Sequence, residues 1–308
     1  MTLRAAPGAA SPFRVHALTR FGLNSPNARR LLLFYEQALG AKLELRERLD
    51  PRRLSLWAGV QGSAERSVLS LGDATVELVE FDYPGRPYPP ELSPYDTRFQ
   101  HFGIVVTDMQ RAMERLSQTA GWTAISSSGP QKLPANDAGV TAFKFRDPDG
   151  HPLEFLQFDA RTPPAHWRNA VGSGIHLGID HSALSVADAT SSVQFYEWLG
   201  LTLTHRTLNQ GIEQEHLDGV PAPRVDVISL NPPHATPHVE LLHYHTGSRA
   251  REEPLQSHDA AAIRLVLTGR GGAIDEPDRL LQDPDGHFLQ LETRETAGYR
   301  PCAPDRSS

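Results

Sequence analysis

Several features that define whole classes of protein are scarce or missing in this sequence. The 308 residues include one cysteine, Cys302, which excludes a disulfide framework and a zinc site built from cysteines. No run approaches the roughly 18 apolar residues of a membrane-spanning helix. The net charge is −7 and no segment is dense in lysine and arginine, which argues against a nucleic-acid partner. The first residues lack the apolar segment of a secretory signal, so we expect a cytoplasmic protein.

What remains is the composition of a folded globular protein. Apolar residues make up 39% of the chain and charged residues 22%, a balance that excludes disorder and fibrous structure. A chain of 308 residues is long enough for about two domains of average size. Each of them would bury a substantial core without covalent cross-links.

Two short motifs each occur twice, which indicates a duplicated chain. Phe34-Tyr35-Glu36 with Leu39-Gly40 recurs as Phe195-Tyr196-Glu197 with Leu199-Gly200, and Asp147-Pro-Asp-Gly-His151 recurs as Asp283-Pro-Asp-Gly-His287. The predicted organisation is a flexible N-terminus (1–12), a first half (13–158), a linker (159–177), a second half (178–294) and a flexible tail (295–308). The linker assignment rests on the prolines and glycines in that segment.

Each half divides again into two modules with the order strand, helix and three strands. The predicted modules span 13–83, 98–158, 178–245 and 257–294. Asp108 and Asp188 each precede a segment with helical spacing of apolar residues, as N-capping residues do. The two Phe-Tyr-Glu copies are 161 residues apart and the two Asp-Pro-Asp-Gly copies 136 apart. The fourth module is therefore predicted to be truncated, without its helix and one strand.

Four such modules, with these motifs after the first helix and before the last strand, resemble the vicinal oxygen chelate superfamily. That superfamily includes glyoxalase I, methylmalonyl-CoA epimerase, extradiol dioxygenases, and fosfomycin and bleomycin resistance proteins. The resemblance covers residues 13 to 293. It implies an α+β fold in which tandem βαβββ modules form two cup-shaped mixed sheets. It says less about the reaction, because this fold supports isomerases, dioxygenases, thiol transferases and metal-free binding proteins.

The resemblance also implies a set of metal-ligand positions, one on the first and one on the last strand of each module. On the first strands they are Arg20, His101, His181 and about Ala260, and on the last strands Glu77, Glu154, Glu240 and Gln290. If modules one and two share a cup, both cups have incomplete sets. If modules two and three share a cup, it receives all four residues of metal-binding type. We favour the second pairing, which is also the one expected for a fusion of two swapped glyoxalase-like subunits.

The favoured ligand set is therefore His101, Glu154, His181 and Glu240. Two imidazoles and two carboxylates suit one divalent ion such as Ni, Co, Zn, Mn or Fe. Such an ion acts as a Lewis acid on a substrate with two neighbouring oxygens. The resemblance assigns acid–base catalysis to a glutamate of the set, so Glu154 and Glu240 are the candidate catalytic residues.

The implied function is a metal-dependent enzyme acting on a small molecule with vicinal oxygens, in the manner of the glyoxalase I lyases and isomerases. Two alternatives stay open: an Fe(II) extradiol-type ring-cleaving dioxygenase, and a non-catalytic drug- or metabolite-binding protein like those of bleomycin resistance. We expect a small-molecule substrate, no nucleic acid and no membrane. A monomer or a homodimer is expected, since a fused chain completes its own cup.

Other polar residues receive weaker assignments. His216 and Arg206 are candidate substrate contacts of the cup. Arg20 is expected to be a surface strand residue, and Glu77 a structural one. His151 and His287 follow tight turns, so both are expected to be exposed.

Overall fold

The computed structural model describes residues 13–134, 139–161, 163–169, 174–246, 253–271 and 279–293. The predicted N-terminus (1–12), the predicted tail (295–308) and part of the predicted linker lie outside the described residues. The limits of the two halves stay a prediction. Among the described residues, no helix is long and apolar enough to cross a membrane.

Modules one to three contain the predicted strand, helix and three strands, with additions: a second helix in modules one and three, and a fourth strand after the helix in module two. Module one consists of β1 (Arg14–Asn24), α1 (Ala28–Phe34), β2 (Lys42–Leu49), α2 (Pro51–Ala58), β3 (Ala64–Leu71) and β4 (Ala74–Phe81). Module two consists of β5 (Gln100–Val106), α3 (Met109–Ser117), β6 (Thr123–Ala124), β7 (Gln131–Lys132), β8 (Thr141–Arg146) and β9 (Pro152–Gln157). Module three consists of β10 (His176–Ser185), α4 (Ala189–Trp198), β11 (Thr202–Gln210), α5 (Ile212–Asp218), β12 (Arg224–Asn231) and β13 (His238–Tyr244).

Module four is shorter, as predicted. Its described residues form β14 (Arg264–Arg270), β15 (Arg279–Gln282) and β16 (Phe288–Thr293), with no helix among them. The predicted N-capping residues do cap their helices: Asp108 accepts a hydrogen bond from the amide of Arg111, and Asp188 from that of Thr190. The fold class is therefore the predicted one, an α+β protein of tandem βαβββ modules.

The strands form two mixed sheets, and each sheet joins two modules from different halves of the chain. Modules one and four build the seven-stranded sheet β15-β16-β14-β1-β4-β3-β2. Modules two and three build the nine-stranded sheet β11-β12-β13-β10-β5-β9-β8-β6, in which β7 also pairs with β8. The topology thus pairs module two with module three, the arrangement that the ligand residue types favour. The main core includes Phe21 and Phe102, one from each sheet, with ring centroids 5.5 Å apart.

The registers at the two module junctions are equivalent and correct one sequence-based position. In the antiparallel pair β5–β10, His101 lies opposite Ala183 and His181 opposite Gly103. In the antiparallel pair β1–β14, Arg20 lies opposite Val266, and Arg264 lies opposite Gly22. The fourth first-strand position is therefore Arg264. The assignment of about Ala260 is wrong, because Ala260 precedes β14 and packs in a separate apolar cluster.

The two repeated motifs pair with each other across the sheets. The Tyr35 hydroxyl of module one lies 3.4 Å from Asp147 Oδ2 of module two. In the second half, the Tyr196 hydroxyl of module three donates to Asp283 Oδ2 of module four at 3.0 Å. All four side chains are buried. Since the partners belong to modules of different sheets, these contacts connect the two sheets.

The histidines that close the Asp-Pro-Asp-Gly turns are buried, so their predicted exposure is wrong. His151 is 0% and His287 3% exposed. His151 Nδ1 lies 2.8 Å from Asp147 Oδ2, and its Nε2 lies 3.1 Å from the carbonyl oxygen of Asn24. His287 Nε2 makes the equivalent contact with the carbonyl oxygen of Ser185 at 3.1 Å. The turn was correctly predicted from local sequence, but its burial depends on strands that are distant in the chain.

Replacing Tyr196 by phenylalanine should lower the free energy of unfolding by about 2 kcal/mol, the usual worth of a hydrogen bond to a charged group. The change removes a 3.0 Å bond to the buried Asp283 carboxylate without altering the packing of the ring. Tyr35→Phe is the matched control, because its contact with Asp147 is longer, at 3.4 Å. Denaturant unfolding of both variants measures the difference. An equal loss in the two variants would contradict this ranking.

Candidate metal centre

Four polar side chains of the nine-stranded sheet face one cup. They are His101 on β5, Glu154 on β9, His181 on β10 and Glu240 on β13. His101 Nε2 lies 3.1 Å from Glu154 Oε2, and His181 Nε2 lies 3.5 Å from the same oxygen. His181 Nε2 also lies 3.6 Å from Glu240 Oε2. The structure thus brings together all four of the residues that were predicted as ligands.

A glycine allows the strands to approach at this point. Gly103 lies opposite His181 in the ladder between β5 and β10. A Cβ atom added to Gly103 would lie 2.7 Å from His181 Cε1, closer than side-chain atoms normally pack. The absence of a side chain there leaves room for the imidazole ring over the backbone of β5.

The carboxylates of the cluster favour the protonated form of the His181 imidazole. Burial alone would lower the pKa of the His181 imidazole, but the carboxylates of Glu240, Asp180 and Glu154 outweigh it and raise that pKa well above the ordinary value. His101 behaves differently, because burial lowers its pKa. Burial would raise the pKa of Glu240, but the facing imidazole of His181 lowers it to about 2. Both glutamates of the set are therefore ionised.

His181 Nε2 is the atom that points to a bound ion. It is buried and has no hydrogen-bond partner among the described residues. It faces one oxygen each of Glu154 and Glu240 at distances too long for good hydrogen bonds. Ligand atoms of His101, Glu154 and His181 all lie within 4.8 Å of one another. Two imidazoles and two carboxylates in this arrangement fit a divalent ion of borderline hardness.

The cluster lines a cavity of about 370 Å³. Most of the remaining wall is apolar and includes Leu133, Val140, Leu156, Phe158, Leu217 and Leu242. Strand β11 adds His205, Thr207 and Asn209 to the wall. The cavity therefore offers a small molecule the polar cluster together with apolar wall residues.

Lys144 on β8 is the one lysine or arginine among the described residues that line this cavity. Its Nζ donates to Asp218 Oδ1 at 2.7 Å, and Asp218 Oδ2 accepts from Gln214 Nε2 at 2.8 Å and the Tyr244 hydroxyl at 3.0 Å. Burial would lower the pKa of Lys144, but Asp218 and Glu154 outweigh it and raise that pKa. In return, Lys144 is the foremost cation that holds the pKa of Glu154 well below its usual range despite burial.

The two predicted substrate residues do not line the cavity. Arg206 lies on β11, where its half-exposed side chain pairs with Asp226 at 2.7 Å. Side chains alternate along a strand, so its neighbours His205 and Thr207 face the cavity and Arg206 faces away. His216 lies on α5, and its carbonyl oxygen accepts from an amide of module two. A substrate role for Arg206 and His216 stays a prediction without a geometric basis.

Sequence reasoning missed the residues that surround the ligands, although some signals were present. The turn that joins Asp147 to His151 places Lys144 directly opposite Glu154, so the register alone brings this lysine to the site. Asp180 immediately precedes His181, but strict alternation would point it to the other face of the sheet. A bulge at Asp180, which local sequence does not reveal, changes that direction.

The equivalent positions of the other cup hold Arg20, Glu77, Arg264 and Gln290. Arg20 lies at the first-strand position that the sequence assigned to it. It is buried, however, so the expectation of a surface residue is wrong. Its Nε lies 2.6 Å from Glu77 Oε1, and its Nη2 pairs with Glu292. A guanidinium group has no lone pair to donate to a metal and repels cations. The seven-stranded sheet thus has an ion-pair cluster where the nine-stranded sheet has the candidate metal centre.

A helix closes this second cup. The guanidinium of Arg264 lies 3.8 Å from the centre of the Trp57 ring of α2. Trp57 is itself buried in a cluster with Leu54 and Phe81. Burial lowers the pKa of Arg264 to about 10, a value at which the group is still charged at neutral pH. The stacking on Trp57 stabilises that buried charge.

Comparison with known proteins agrees with this architecture. Glyoxalase I from Zea mays is similar at a TM-score of 0.55 and 17% sequence identity, with 91% of this chain and 92% of that chain covered. A putative dioxygenase from Bacillus subtilis subsp. subtilis also gives a TM-score of 0.55, at 11% identity, with 91% and 86% covered. Identities this low show the fold alone. No curated protein matches the sequence.

The sequence itself identifies the family. It matches the model of the Glyoxalase/Bleomycin resistance protein/Dioxygenase superfamily over residues 16–155 and 178–291. Those two segments span the four modules and contain all of the four clustered His and Glu residues. The chain therefore belongs to the glyoxalase, bleomycin resistance protein and dioxygenase superfamily.

Proposed function

We propose that this protein is a divalent-metal-dependent enzyme that acts on a small molecule with vicinal oxygens, as a glyoxalase I-like isomerase or lyase. The observation that carries the proposal is the buried Nε2 of His181, which has no hydrogen-bond partner in the described part of the chain and faces the carboxylates of Glu154 and Glu240. His101 of module two is the fourth residue of the set. Ni, Co, Zn, Mn and Fe are the candidate ions.

When bound, the ion supplies a Lewis acid that polarises a substrate oxygen. The two glutamates differ in their surroundings, which favours different roles for them. Glu154 is 6% exposed and is held by Lys144 and both histidines, which suits a permanent ligand. Glu240 is 18% exposed at its side chain and lies against the cavity. In an isomerisation, Glu240 would accept the proton from the hydroxyl-bearing substrate carbon on a carboxylate oxygen and return it to the neighbouring carbonyl carbon, while the hydroxyl proton moves to the neighbouring oxygen.

The cavity favours a compact substrate without several negative charges. Asp180, Glu154, Glu240 and the Asp218 that neutralises Lys144 give this end of the cup a surplus of carboxylates, even with a divalent ion present. A glutathione adduct carries two carboxylates, and its recognition calls for free cationic residues. Lys144, the sole lysine or arginine among the described lining residues, is already paired with Asp218. An uncharged hydroxycarbonyl or dicarbonyl compound with an apolar body fits this wall better.

A specific observation also supports an Fe(II) extradiol-type dioxygenase as the second candidate. Ligand atoms of His101, Glu154 and His181, a two-histidine, one-carboxylate set, lie within 4.8 Å of one another. The other oxygen of Glu240, Oε1, accepts from the Ser229 hydroxyl at 3.2 Å and lies 3.3 Å from His238 Nε2. If Glu240 stays in those contacts, the ion keeps open positions for a catechol and oxygen.

Metal analysis of the parent protein beside His181→Ala tests the proposal. We expect about one divalent ion per chain in the parent and almost none in the variant, which loses the ligand that faces both carboxylates. His205→Ala is the matched control, because His205 lines the same cavity outside the four-residue cluster. Metal content measured by elemental analysis after preparation without chelator gives the answer.

The loaded protein would then be assayed with hydroxycarbonyl substrates and with catechols. Proton exchange at the carbon beside a carbonyl supports the isomerase or lyase, and oxygen consumption with catechols supports the dioxygenase. No metal in the parent, even after reloading with Ni, Co, Mn, Zn and Fe, would overturn both enzyme proposals. The remaining function would then be binding of a drug or metabolite without chemistry.

A further inference from the structure

We propose that Asp180 is a positioning residue of the metal centre, fixed by Trp167 and holding the His181 ring so that Nε2 faces the ion. This inference rests on the proposed function, because it assigns a role behind one ligand of that site. It adds two residues, Asp180 and Trp167, to the four that the superfamily resemblance implies.

The backbone of β10 places Asp180 beside the ring of His181. Where β10 pairs with β5, Ile179 lies opposite Ile104 and His181 lies opposite Gly103, so Asp180 has no partner in the ladder. Such a bulge bends the strand and changes the direction of a side chain. Asp180 consequently reaches the same cup as His181, although neighbours on a regular strand face opposite sides.

Each oxygen of the Asp180 carboxylate contacts a buried side chain. Its Oδ2 lies 3.3 Å from His181 Nδ1, and its Oδ1 accepts from Trp167 Nε1 at 2.7 Å. An ionised carboxylate only accepts hydrogen bonds, so Asp180 keeps a proton on Nδ1 of His181. An ion that replaces the proton on Nε2 would then bind the lone pair of that atom between Glu154 and Glu240. A carboxylate behind a metal-bound histidine orients the ring and makes it a better ligand.

The two histidines differ in the hydrogen-bond partner of Nδ1. His101 Nδ1 is buried and has no hydrogen-bond partner among the described residues, whereas His181 Nδ1 has Asp180. Trp167, which donates to the Asp180 carboxylate, lies on a short 3₁₀ turn in the segment between modules two and three. It is 4% exposed and packs against Val105 of β5. Trp167 therefore links the chain between the two modules to their shared site.

The test measures metal affinity in Asp180→Asn and Trp167→Phe. Competition with a chromophoric chelator for Co²⁺ and Zn²⁺ gives the affinity, and the absorption bands of bound Co²⁺ report the ligand geometry. We expect Asp180→Asn to lose about 10–100-fold in affinity. Trp167→Phe, which leaves the carboxylate in place, should lose less and in the same direction. If Asp180→Asn fails to fold, Trp167→Phe still tests whether the contacts behind His181 affect the metal affinity.

The matched control is Asp147→Asn, which alters another buried aspartate–histidine pair, between Asp147 and His151. It should destabilise the fold and leave the affinity for Co²⁺ and Zn²⁺ unchanged, which separates positioning from general stability. Asp180→Glu keeps a carboxylate and should recover part of the affinity. An unchanged affinity in both Asp180→Asn and Trp167→Phe would overturn the inference and leave the proposed function intact.

Two further outcomes have distinct meanings. If the parent binds two ions and Asp180→Asn binds one, Asp180 is itself a ligand, since Asp180, His181 and His238 also offer atoms within 4.8 Å of one another. That result overturns the positioning role and keeps the metal-dependent function. If the parent binds none of the candidate ions, the proposed function fails and the inference fails with it.

Discussion

Replacing Glu77 by leucine should lower the free energy of unfolding by about 3–5 kcal/mol, because it removes the buried carboxylate shared by Arg20 and Arg66. Arg20 then keeps only Glu292 and Arg66 only Glu47 as ion-pair partners among the described residues. Glu77 is 0% exposed, and its Oε1 lies 2.6 Å from Arg20 Nε and 3.2 Å from Arg66 Nη1. The metal content should be unchanged, because Glu77 belongs to the seven-stranded sheet. Denaturant unfolding and elemental analysis of one preparation check both halves of the prediction.

The matched control for this change is Glu65→Leu. Glu65 pairs with Arg46 at 3.3 Å, but both side chains are about 40% exposed, so the loss should stay below about 1 kcal/mol. Loss of the bound ion in Glu77→Leu would show that the two cups are not independent. A loss of stability no larger than that of Glu65→Leu would show that the cluster is not desolvated as the structure indicates.

Acid titration should also show the contribution of the ionised Glu77 to the stability of the fold. Burial would raise the pKa of Glu77, but Arg20, Arg66 and Arg264 outweigh it and lower that pKa. A carboxyl with a lowered pKa in the folded state contributes stability above its unfolded value. That contribution is lost as the pH falls through the folded value. The parent should therefore lose stability below about pH 4.5 more steeply than Glu77→Leu.

Lys144→Met should also cost about 3–5 kcal/mol of unfolding free energy, for a reason specific to the metal cup. The change leaves the carboxylate of Asp218, which is 1% exposed, without its cation. Gln214 and Tyr244 still donate to Asp218, but neither carries a positive charge. The midpoint of thermal or denaturant unfolding measures the loss. Because Asp218 ends α5, the helix should also become more open to amide hydrogen exchange.

The control here is Lys132→Met, an exposed lysine of the same module, which should change stability by less than about 0.5 kcal/mol. Lys144→Met combined with Asp218→Asn should recover part of the loss, since the double variant leaves no uncompensated charge. If Lys144→Met alone is as stable as Lys132→Met, Asp218 is solvated or neutral, and the network does not hold α5 against the sheet.

The fold was largely predictable because its repeats are visible in the chain. The two copies of Asp-Pro-Asp-Gly-His mark equivalent turns, and the residue types His101, Glu154, His181 and Glu240 favour the pairing of modules two and three that the sheets have. Arg264 was missed because the truncated fourth module has no helix from which to count, so the phase of β14 could not be set. The pairing of Arg264 with Gly22 in the sheet defines the first-strand position of module four.

The surroundings of the candidate site were harder to predict, since they depend on contacts between distant elements. The burial of His151 depends on Asn24, which belongs to another sheet. Asp180 reaches the cup through a bulge, and Asp218 reaches Lys144 because α5 of module three packs on β8 of module two. In each case a local pattern gives the residue type, while the tertiary structure decides what that residue touches.

The pairing of modules also sets an order for folding during synthesis. The nine-stranded sheet uses strands from β5 to β13, so it can be completed before module four leaves the ribosome. Strand β1 has to wait, because its antiparallel partner β14 lies near the other end of the chain, with Phe21 opposite Leu265. Until then β1 presents an unpaired edge of the kind that promotes aggregation. Nascent chains that stop after module three should therefore depend on chaperones, even though their candidate metal centre is complete.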